Sequence, residues 1–448
     1  MNSEKENTSW PRRKMWAIVF GITSVIALFL LGGTARFMFN VNETRFVLGD
    51  KFSIGVSHNC LTAYAAAAYL ASTGADNIYD RLHYGPAPES STPIHKAVHG
   101  IFKVDDFLYP PQFLILPYGL WVLFKDFLLM RTAWFALTIS FVITALAGTA
   151  WWCGAFRAQP QLLLFPLLLC APVVYTAIQI GNAHVLIIAI SILAMIAFEK
   201  RRPFIGGALL GFAMVAKIWP AILLAYLIVQ RRWKPVAYCV AAAIIYTLVS
   251  ILLFGIKPYQ DFFTYGLSHV ANEVAVLTTG QASVIIDNIS IFGIPQKLYA
   301  LHLLSSHPMF IAPVVSWSFT AILGAIVVAA GLRLEKGTGD DDNSRLLRVQ
   351  LWLILLTLVQ LRSPFLPWHY GTITTLWLLV LSTASPNWWK LGITGVAWIC
   401  LAVNMPIGFL PMAQNSSIGY TLFAAFLMYG VIMVTLRNYF TSTKWVWS

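Results

Sequence analysis

Lysine, arginine and histidine residues at a few positions could carry chemistry in a chain that is otherwise dominated by apolar side chains. Lys217 interrupts a long apolar stretch, where an unpaired ammonium is costly. We expect it to face a cavity or an anion, or else to extend from a hairpin tip toward the interface. Arg362 and His369 lie in one short polar segment together with Trp368 and Tyr370. An aromatic belt at a membrane surface explains the two aromatic residues, but it does not explain a cation near an imidazole.

A second group of polar residues lies in a long polar segment near the N-terminus. His58 and Asn59 directly precede an alanine-rich stretch of high helix propensity, and Asp80 follows that stretch. Asp105 and Asp106 come at the end of the segment. A connection this long between apolar stretches is more often functional than passive, although Asn59 is about as well suited to capping the helix as to catalysis.

These residue types suit one chemistry, which is the transfer of a group carried by a lipid phosphate. Arg and Lys stabilise the charge of a departing phosphate, and a His or a carboxylate accepts the proton of an attacking hydroxyl. A transporter or flippase for the same lipid could use the same residues, but it should carry charges along several membrane helices. Charges within the apolar stretches are nearly absent apart from Lys217, which favours an enzyme.

The elements that position these residues must be membrane helices. Of the 448 residues, 58% are hydrophobic and 11% are charged, so the apolar side chains exceed what a soluble core can bury. Apolar stretches near the roughly 20 residues that span a bilayer recur from Trp16 to the C-terminus, and their lack of polar alternation excludes a β-barrel. The sequence predicts an all-α polytopic bundle of about 12 spans, forming one membrane domain over residues 1–448.

Lys and Arg at the ends of the apolar stretches predict the orientation of that bundle, with both termini in the cytoplasm. The predicted order is a first span at 15–38, an outer loop at 39–108, membrane helices and hairpins at 109–255, a second outer loop at 256–308, membrane helices at 309–436 and a cytoplasmic tail at 437–448. The predicted alternation of inside and outside positions along the chain requires segment 109–124 to be re-entrant or only partly inserted. Two hairpins have short arms, so their tips at 181–182 and 217–220 could lie within the membrane.

We interpret the net charge of +12 as a membrane signature and not as a sign of nucleic-acid binding. Five cysteines lack the paired spacing of a disulfide framework or a metal site, and we interpret them as packing residues. The acidic run 340–342 falls on the cytoplasmic side, where a solvated charge run is the simplest interpretation. No metal cluster is apparent in the outer loops, so we expect transfer that needs neither a metal nor a cofactor.

Six sequence elements occur in a fixed order between about residues 55 and 375. They are Tyr64-Ala65-Ala66 with Gly74 and Tyr79-Asp80, Phe107 to Pro111 with Leu114 and Pro117, Gln179 to Asn182, Arg201 to Pro203 with Gly206, Gly207, Leu210 and Gly211, Lys217 and Pro220 with 231–233, and Ser363-Pro364 with 368–370. In this order they resemble the GT-C glycosyltransferase superfamily, and specifically glycosyltransferase family 87. The third element is similar to that family's Gly-Gln-x-Asn hairpin tip.

The resemblance implies a reaction and its partners. A hexose, mannose-like in this family, would pass from a polyprenyl-phosphate carrier to a hydroxyl of an envelope glycolipid or glycan at the outer face, with inversion. Lys217 and Arg362 are candidates for binding the phosphate, and Asn182 is a candidate for binding substrate at its hairpin tip. Tyr64 and Tyr109 could line the sugar pocket, although core packing explains them equally well. The family also implies a bacterial inner membrane.

The family's general base is usually an Asp shortly after the first span, and ungapped counting puts Asn59 at that position. An amide cannot usefully accept the proton, so the identity of the base is open. His58 could replace it, with an ordinary imidazole pKa of about 6.5. Four carboxylates could instead fold into the site: Asp50, Asp80, Asp105 and Asp106. His369 could act as the base or stabilise the departing phosphate, or the chain could be a divergent scaffold without activity.

Overall fold

The apolar stretches fold as helices, and the computed structural model confirms the all-α class. It describes residues 9–47, 58–84, 102, 104–157, 159–267, 282–335, 341–383, 388–403 and 414–445. The helices of the first part are α1 (Ser9–Phe39), α2 (Leu61–Ser72), α3 (Ile115–Phe124), α4 (Phe127–Trp152), α5 (Pro166–Cys170), α6 (Pro172–Gln179), α7 (Ala183–Glu199), α8 (Pro203–Ala216), α9 (Ala221–Val229) and α10 (Trp233–Phe254).

The second part contains shorter helices between long ones. They are α11 (Lys257–Asp261), α12 (Ala282–Asp287), α13 (Gly293–Ala300), α14 (Pro308–Gly331), α15 (Asp342–Leu361), α16 (Trp368–Gly371), α17 (Ile373–Ser382), α18 (Trp388–Ala402) and α19 (Gln414–Ser442). Two three-residue strands, β1 (Arg333–Glu335) and β2 (Thr443–Trp445), pair antiparallel beside α19.

Six of the described helices are long and apolar enough to cross a membrane. They are Lys14–Phe39, Phe127–Trp152, Trp233–Phe254, Phe310–Gly331, Asp342–Leu361 and Gln414–Ser442. The bent pair Pro160–Cys170 and Pro172–Gln179 could count as a seventh. This number is lower than the expected count because four further apolar helices have only 10–17 residues: Pro111–Phe124, Ala183–Glu199, Pro203–Ala216 and Leu391–Ala402.

The short helices α7 and α8 pack against each other, and α8 also packs along the long helix α10. Glycines on α8 allow this approach, because a Cβ at Gly207 would lie 2.5 Å from the Cβ of Tyr238, and one at Gly211 would lie 2.7 Å from that of Ala242. Small residues let membrane helices bring their backbones close together. The packing fixes the loop between α8 and α9, which begins with Lys217.

Helices α7 and α15 connect two ends of the molecule. With its 17 residues, α7 extends about 25 Å. Its last residue, Glu199, bonds Arg348 in the first half of α15, whereas His184 near its start bonds Gln360 near the end of α15. The two helices are therefore antiparallel. We call the end with Glu199 the arginine-rich end and the end with His184 the hairpin end.

The acidic run at the arginine-rich end is bound into the fold. Asp342 accepts hydrogen bonds from Arg157 at 2.7 Å and from Arg345 at 3.4 Å, and 17% of its side chain is exposed. Asp341 caps α15 by accepting a backbone hydrogen bond at 2.8 Å. The expectation of a simply solvated run is therefore wrong for Asp342, whereas Asp341 is exposed and Asp340 lies outside the described residues.

Part of the predicted second outer loop folds against the segment that follows α15. The N–H of Ile289 donates to the carbonyl of Leu366 at 2.9 Å. The Asn288 side chain donates to the carbonyl of Pro364 at 3.0 Å and accepts from the N–H of Leu366 at 3.1 Å. The buried ammonium of Lys297 donates to the carbonyl of Asn288 at 2.5 Å. These bonds hold the short helix α16 in position.

Candidate active site

The tip of the hairpin between α6 and α7 lies at the centre of the candidate site. Gly181 adopts a φ of +72°, which favours glycine, and Asn182 caps α7 by accepting a backbone hydrogen bond at 2.8 Å. The carbonyl of Ile180 accepts from the N–H of Cys60 at 2.8 Å. The carbonyl of Gly181 accepts from the indole of Trp134 at 3.0 Å. These bonds hold the hairpin tip between α4 and the start of α2.

His58 lies beside this tip, between two partners. Its Nδ1 is 3.2 Å from Oδ1 of Asp105, and its Nε2 is 3.4 Å from Sγ of Cys60. Burial lowers the pKa of His58, but the hydrogen bonds to Asp105 and Cys60 outweigh burial and raise that pKa to about 10. The imidazole therefore holds its proton at neutral pH. The second oxygen of Asp105, Oδ2, is buried and has no hydrogen-bond partner within the described part of the chain.

Asn59 is part of the local fold. Only 1% of the residue is exposed, and its side-chain oxygen accepts a hydrogen bond from the N–H of Leu61 at 3.0 Å. Its carbonyl accepts from the hydroxyl of Thr62 at 2.7 Å. The amide oxygen is therefore used to start α2, and an amide offers no proton acceptor for catalysis.

Lys217 begins a chain of polar contacts at the hairpin end. Its ammonium lies 3.3 Å from Nδ1 of His184, 4.7 Å from the ring centre of Tyr109 and 5.6 Å from that of Tyr370. Because an ammonium can only donate, Nδ1 must accept, so Nε2 of His184 carries the proton and donates to Gln360 at 2.9 Å. The contacts described for Lys217 include no carboxylate, and such a cation against aromatic faces suits the binding of an anion.

Tyr64 and Tyr109 are joined hydroxyl to hydroxyl at 2.9 Å. Tyr64 is 1% exposed, and its hydroxyl also accepts from the N–H of Ala183 at 3.3 Å. Tyr109 is half-buried, and its carbonyl accepts from the hydroxyl of Tyr79 at 2.8 Å. Tyr64 therefore belongs to the core, whereas Tyr109 has an exposed portion that a ligand could reach.

His369 lies on α16 near a carboxylate of the second loop. Its Nδ1 is 4.0 Å from Oδ2 of Asp287, whose other oxygen accepts from the N–H of Trp368 at 3.2 Å. Burial raises the pKa of Asp287 to about 6. Burial, together with the positive charges of His58 and Lys217, lowers the pKa of His369 to about 3. His369 is therefore neutral at physiological pH and close enough to both cations to be affected by them.

Asp80 and Arg362 make their contacts elsewhere. Asp80 caps the turn 81–83 by accepting from the N–H of Leu82 at 3.0 Å. Arg362 donates from Nε to the hydroxyl of Thr320 at 2.5 Å, and its guanidinium lies 5.3 Å from the ring centre of Trp317. The contacts described for these two side chains do not include the other candidate residues, so their roles in a site stay predictions. Asp50 lies outside the described residues.

The structure adds four residues that sequence analysis did not single out: Cys60, His184, Asp287 and Gln360. A histidine at the start of an apolar helix, such as His184, is a signal that could have been noticed. Cys60 was interpreted as a packing residue, but it is half-buried and contacts His58. Asp287 acquires its position only through the packing of its loop on α16.

Three side chains of the candidate site, those of His58, Cys60 and Asp105, also offer the atom types of metal ligands. The ligand atoms of His58, Cys60 and Asp105 lie within 4.8 Å of one another. Sequence analysis missed this group because Asp105 is distant in the chain and only the fold brings it to His58. The expectation that the outer loops contain no such cluster does not fit this geometry.

Comparison with protein families matches residues 107–364, more than half of the chain, to the model of glycosyltransferase family 87. The matched region contains His184, Lys217 and Gln360, whereas His58 and His369 lie outside it. A search of curated proteins finds no match.

Proposed function

Since the chain belongs to glycosyltransferase family 87 and is a membrane glycosyltransferase, we propose that it moves a mannose-like hexose from a polyprenyl-phosphate carrier to a hydroxyl of an envelope glycolipid or glycan. The observation that carries the proposal is the grouping of a cation, a neutral imidazole and a carboxylate at the hairpin end. These groups are Lys217, His369 and Asp105. His58 contacts Asp105, and both His58 and Lys217 lie close enough to His369 to lower its pKa.

Lys217 binds the phosphate of the donor in this proposal. An ammonium has three hydrogens to donate, and His184 takes one of them, which leaves two for phosphate oxygens. His369, as a neutral imidazole, donates a further hydrogen bond to the phosphate as its negative charge grows during departure. Asp287 lies beside the ring and orients it, in the way that a carboxylate orients a catalytic histidine.

Asp105 is the proposed proton acceptor. Both ring nitrogens of His58 face partners, whereas Oδ2 of Asp105 has none within the described residues. The acceptor oxygen attacks the anomeric carbon on the face opposite the phosphate, and its proton passes to Asp105. The bond between the anomeric carbon and the phosphate oxygen breaks, so the configuration inverts. These steps use only groups of the chain, in keeping with metal-independent transfer.

The sugar would lie between the hairpin tip and Tyr109. The partly exposed ring of Tyr109 offers an apolar face for the hexose, next to the phosphate-binding Lys217. Asn182 is buried at the tip, with its amide nitrogen 3.7 Å from Sγ of Cys60. We therefore propose that Asn182 forms the hairpin-tip side of the pocket, while Tyr109 contacts the sugar.

The proposed working face is the outer face of a bacterial inner membrane. The hairpin end lies about 25 Å, one α7 length, from an end where basic residues collect. These basic residues are Arg157, Lys200, Arg201, Arg202, Arg231, Arg232, Arg345 and Arg348. Basic residues favour the cytoplasmic side, which supports an outer position for the hairpin end and cytoplasmic termini.

Transfer from a labelled donor tests the proposal. The purified chain in liposomes receives radiolabelled polyprenyl-phosphate mannose and a bacterial glycolipid extract, and labelled products are separated by thin-layer chromatography. We expect a new labelled glycolipid with the wild-type chain, and a rate lower by about 10²–10⁴-fold for Asp105→Asn. The matched control is Asp106→Asn, which removes the same charge one residue away and should retain transfer.

Equal losses in Asp105→Asn and Asp106→Asn would remove the assigned base. Label that crosses the bilayer without forming a product would instead support a flippase. A folded wild-type chain that binds the donor but transfers no hexose would support a scaffold. Asn59, at the position where the family usually has an Asp, favours that hypothesis.

A further inference from the structure

His58, Cys60 and Asp105 form a compact group of three different metal-ligand types. Oδ1 of Asp105 lies 3.2 Å from Nδ1 of His58, and Sγ of Cys60 lies 3.4 Å from Nε2 of the same ring. One ligand atom from each of the three residues lies within 4.8 Å of the other two. Two chain segments that are distant in sequence therefore bring an imidazole, a thiol and a carboxylate close together.

These distances fit a small tetrahedral ion. Bonds of about 2.0–2.3 Å to nitrogen, oxygen and sulfur put neighbouring ligand atoms roughly 3.3–3.8 Å apart. An imidazole binds an ion through one ring nitrogen, so His58 has one neighbour near this range, Asp105 at 3.2 Å from Nδ1 or Cys60 at 3.4 Å from Nε2. The separations within the group extend to 4.8 Å, and side-chain shifts of about 1 Å would bring all three ligand atoms to bonding distance of one ion. All three side chains are half-buried, which leaves access from solvent.

The backbone that carries the three ligands is held in place by other contacts. The N–H of Cys60 donates to the carbonyl of Ile180, which ties it to the hairpin tip. The N–H of Asp105 donates to the hydroxyl of Thr62 at 3.2 Å, and that hydroxyl donates to the carbonyl of Asn59. Ligands on a positioned backbone lose little freedom when an ion binds, which favours affinity.

We propose that His58, Cys60 and Asp105 form a binding site for a divalent cation of the zinc class, with a fourth coordination position open to water. A thiolate and an imidazole select Zn²⁺ and Co²⁺ over Mg²⁺ and Ca²⁺, which prefer oxygen ligands. Three protein ligands plus one open position is the pattern of zinc sites that exchange a ligand. Lys217 and His369 are not among the proposed ligands.

The consequence for catalysis rests on the proposed function. An ion bound to the Asp105 carboxylate occupies the group that accepts the proton from the sugar acceptor. Metal-loaded and catalytically competent forms of the site therefore exclude each other, and zinc at the outer face inhibits transfer. The inference thus adds a regulatory ligand to a reaction that itself needs no metal.

Cobalt binding tests the site without substrate. The full chain, purified without a polyhistidine tag and treated with a chelator, is titrated with Co²⁺ while its absorption spectrum is recorded. A cysteine ligand gives a thiolate-to-cobalt charge-transfer band in the near ultraviolet, and we expect one equivalent of Co²⁺ to produce it. Zinc added afterwards should displace the cobalt and remove the band, with one zinc per chain by elemental analysis.

Single substitutions assign the band to this group. Cys60→Ser should abolish the band, and Asp105→Asn should weaken cobalt binding at least about tenfold. Cys170→Ser and Cys400→Ser change half-buried cysteines elsewhere and should leave the titration unchanged. Absence of the band in the wild-type chain, or a band that survives Cys60→Ser, would overturn the site.

Zinc inhibition is measured separately, in the transfer assay. Added zinc should slow wild-type transfer, and a chelator should restore it. A cobalt band together with zinc-stimulated transfer would overturn the inhibitory role while leaving the site in place. A cobalt band in a chain without any transfer would overturn the proposed function and not the site, so the two failures are distinguishable.

Discussion

The arginine-rich end and the hairpin end of the bundle differ in how their charged residues are paired. At the arginine-rich end, both carboxylate oxygens of Glu199 are paired, one with Arg232 and the other with Arg348. Asp342 likewise contacts two arginines. These pairs join α7 and α15 to each other and to the start of α10, so the charges at this end hold helices together.

At the hairpin end, several polar groups keep unused bonding capacity. Lys217 donates to a neutral imidazole, and Oδ2 of Asp105 and the amide nitrogen of Gln360 are buried with no partner within the described residues. A buried polar group without a partner costs stability. Such groups are expected where binding or reaction supplies the missing partner. Buried amide oxygens of Gln159 and Gln230 also lack partners near the arginine-rich end, so the contrast we propose concerns the charged groups: paired at that end, available for function at the hairpin end.

Replacement of Lys217 by Gln should give the largest functional effect. In the proposed mechanism the cation stabilises the departing phosphate, so we expect its loss to lower transfer by about 10²–10³-fold with an unchanged melting temperature. The measurement is initial rate alongside thermal unfolding in detergent. The control is Lys200→Gln at the arginine-rich end, where the lysine is exposed. Similar losses from both variants would break the distinction between the ends.

Replacement of Glu199 by Gln should give the opposite outcome, with lost stability and retained transfer per folded molecule. The Glu199 side chain is 13% exposed and bonds two arginines that are less than one-third exposed, so we expect a loss of about 1.5–3 kcal/mol in the free energy of unfolding. Arg157→Gln is the matched comparison, because its side chain is 59% exposed and its pair should contribute little. A stable Glu199→Gln chain without activity would contradict this division.

The sequence predicted the class of the fold and several parts of this contrast, because hydrophobic length and basic clusters are local properties. Lys217 was identifiable since a charge in an apolar stretch needs a partner. The partner itself was not, because His184 and Gln360 come from α7 and α15 and meet only through helix packing. The count of about 12 spans stays a prediction, because α7 and α8 are apolar but shorter than the helices that meet the length criterion among the described residues.

The proposed proton acceptor, Asp105, shows a second limit of the sequence. Counting along the family pattern indicated Asn59, and the adjacent His58 was its first substitute. In the fold, the Asn59 side chain accepts a hydrogen bond from Leu61 at the start of α2, and His58 contacts Asp105. Asp105 was one of four carboxylates that the sequence could not separate, because a long loop without periodicity does not predict which of its residues returns to the start of α2.

The pH dependence of transfer should follow the titration of Asp287, the carboxylate beside His369. Burial raises the pKa of Asp287 to about 6, so this carboxyl is ionised above pH 6 and neutral below it. Transfer should therefore fall about tenfold from pH 7 to pH 5, as Asp287 loses the charge that orients His369. His369, with a pKa of about 3, stays neutral across this window. Lys297, with a pKa of about 7, is mostly charged between pH 7 and pH 5, so its titration does not cause this decline in transfer, which we call the acid limb.

The variant Asp287→Asn tests the assignment of that limb. It should lower transfer at pH 7 and abolish most of the decline between pH 7 and pH 5. A limb that persists unchanged in Asp287→Asn would assign the titration to another group of the hairpin end.

Replacement of Arg362 by Gln should give the smallest effect, and it tests how far the hairpin site extends. The sequence made Arg362 a phosphate ligand, yet its guanidinium bonds Thr320 and covers Trp317 on α14. To reach a phosphate beside Lys217 it would have to leave both contacts. We therefore expect transfer to change by no more than about twofold. Thr320→Val, which removes the hydrogen bond but keeps the cation, should cause an equally small change. If Arg362→Gln instead slows transfer as strongly as Lys217→Gln while Thr320→Val does not, the guanidinium moves to the phosphate during the reaction, and α14 belongs to the functional end of the bundle.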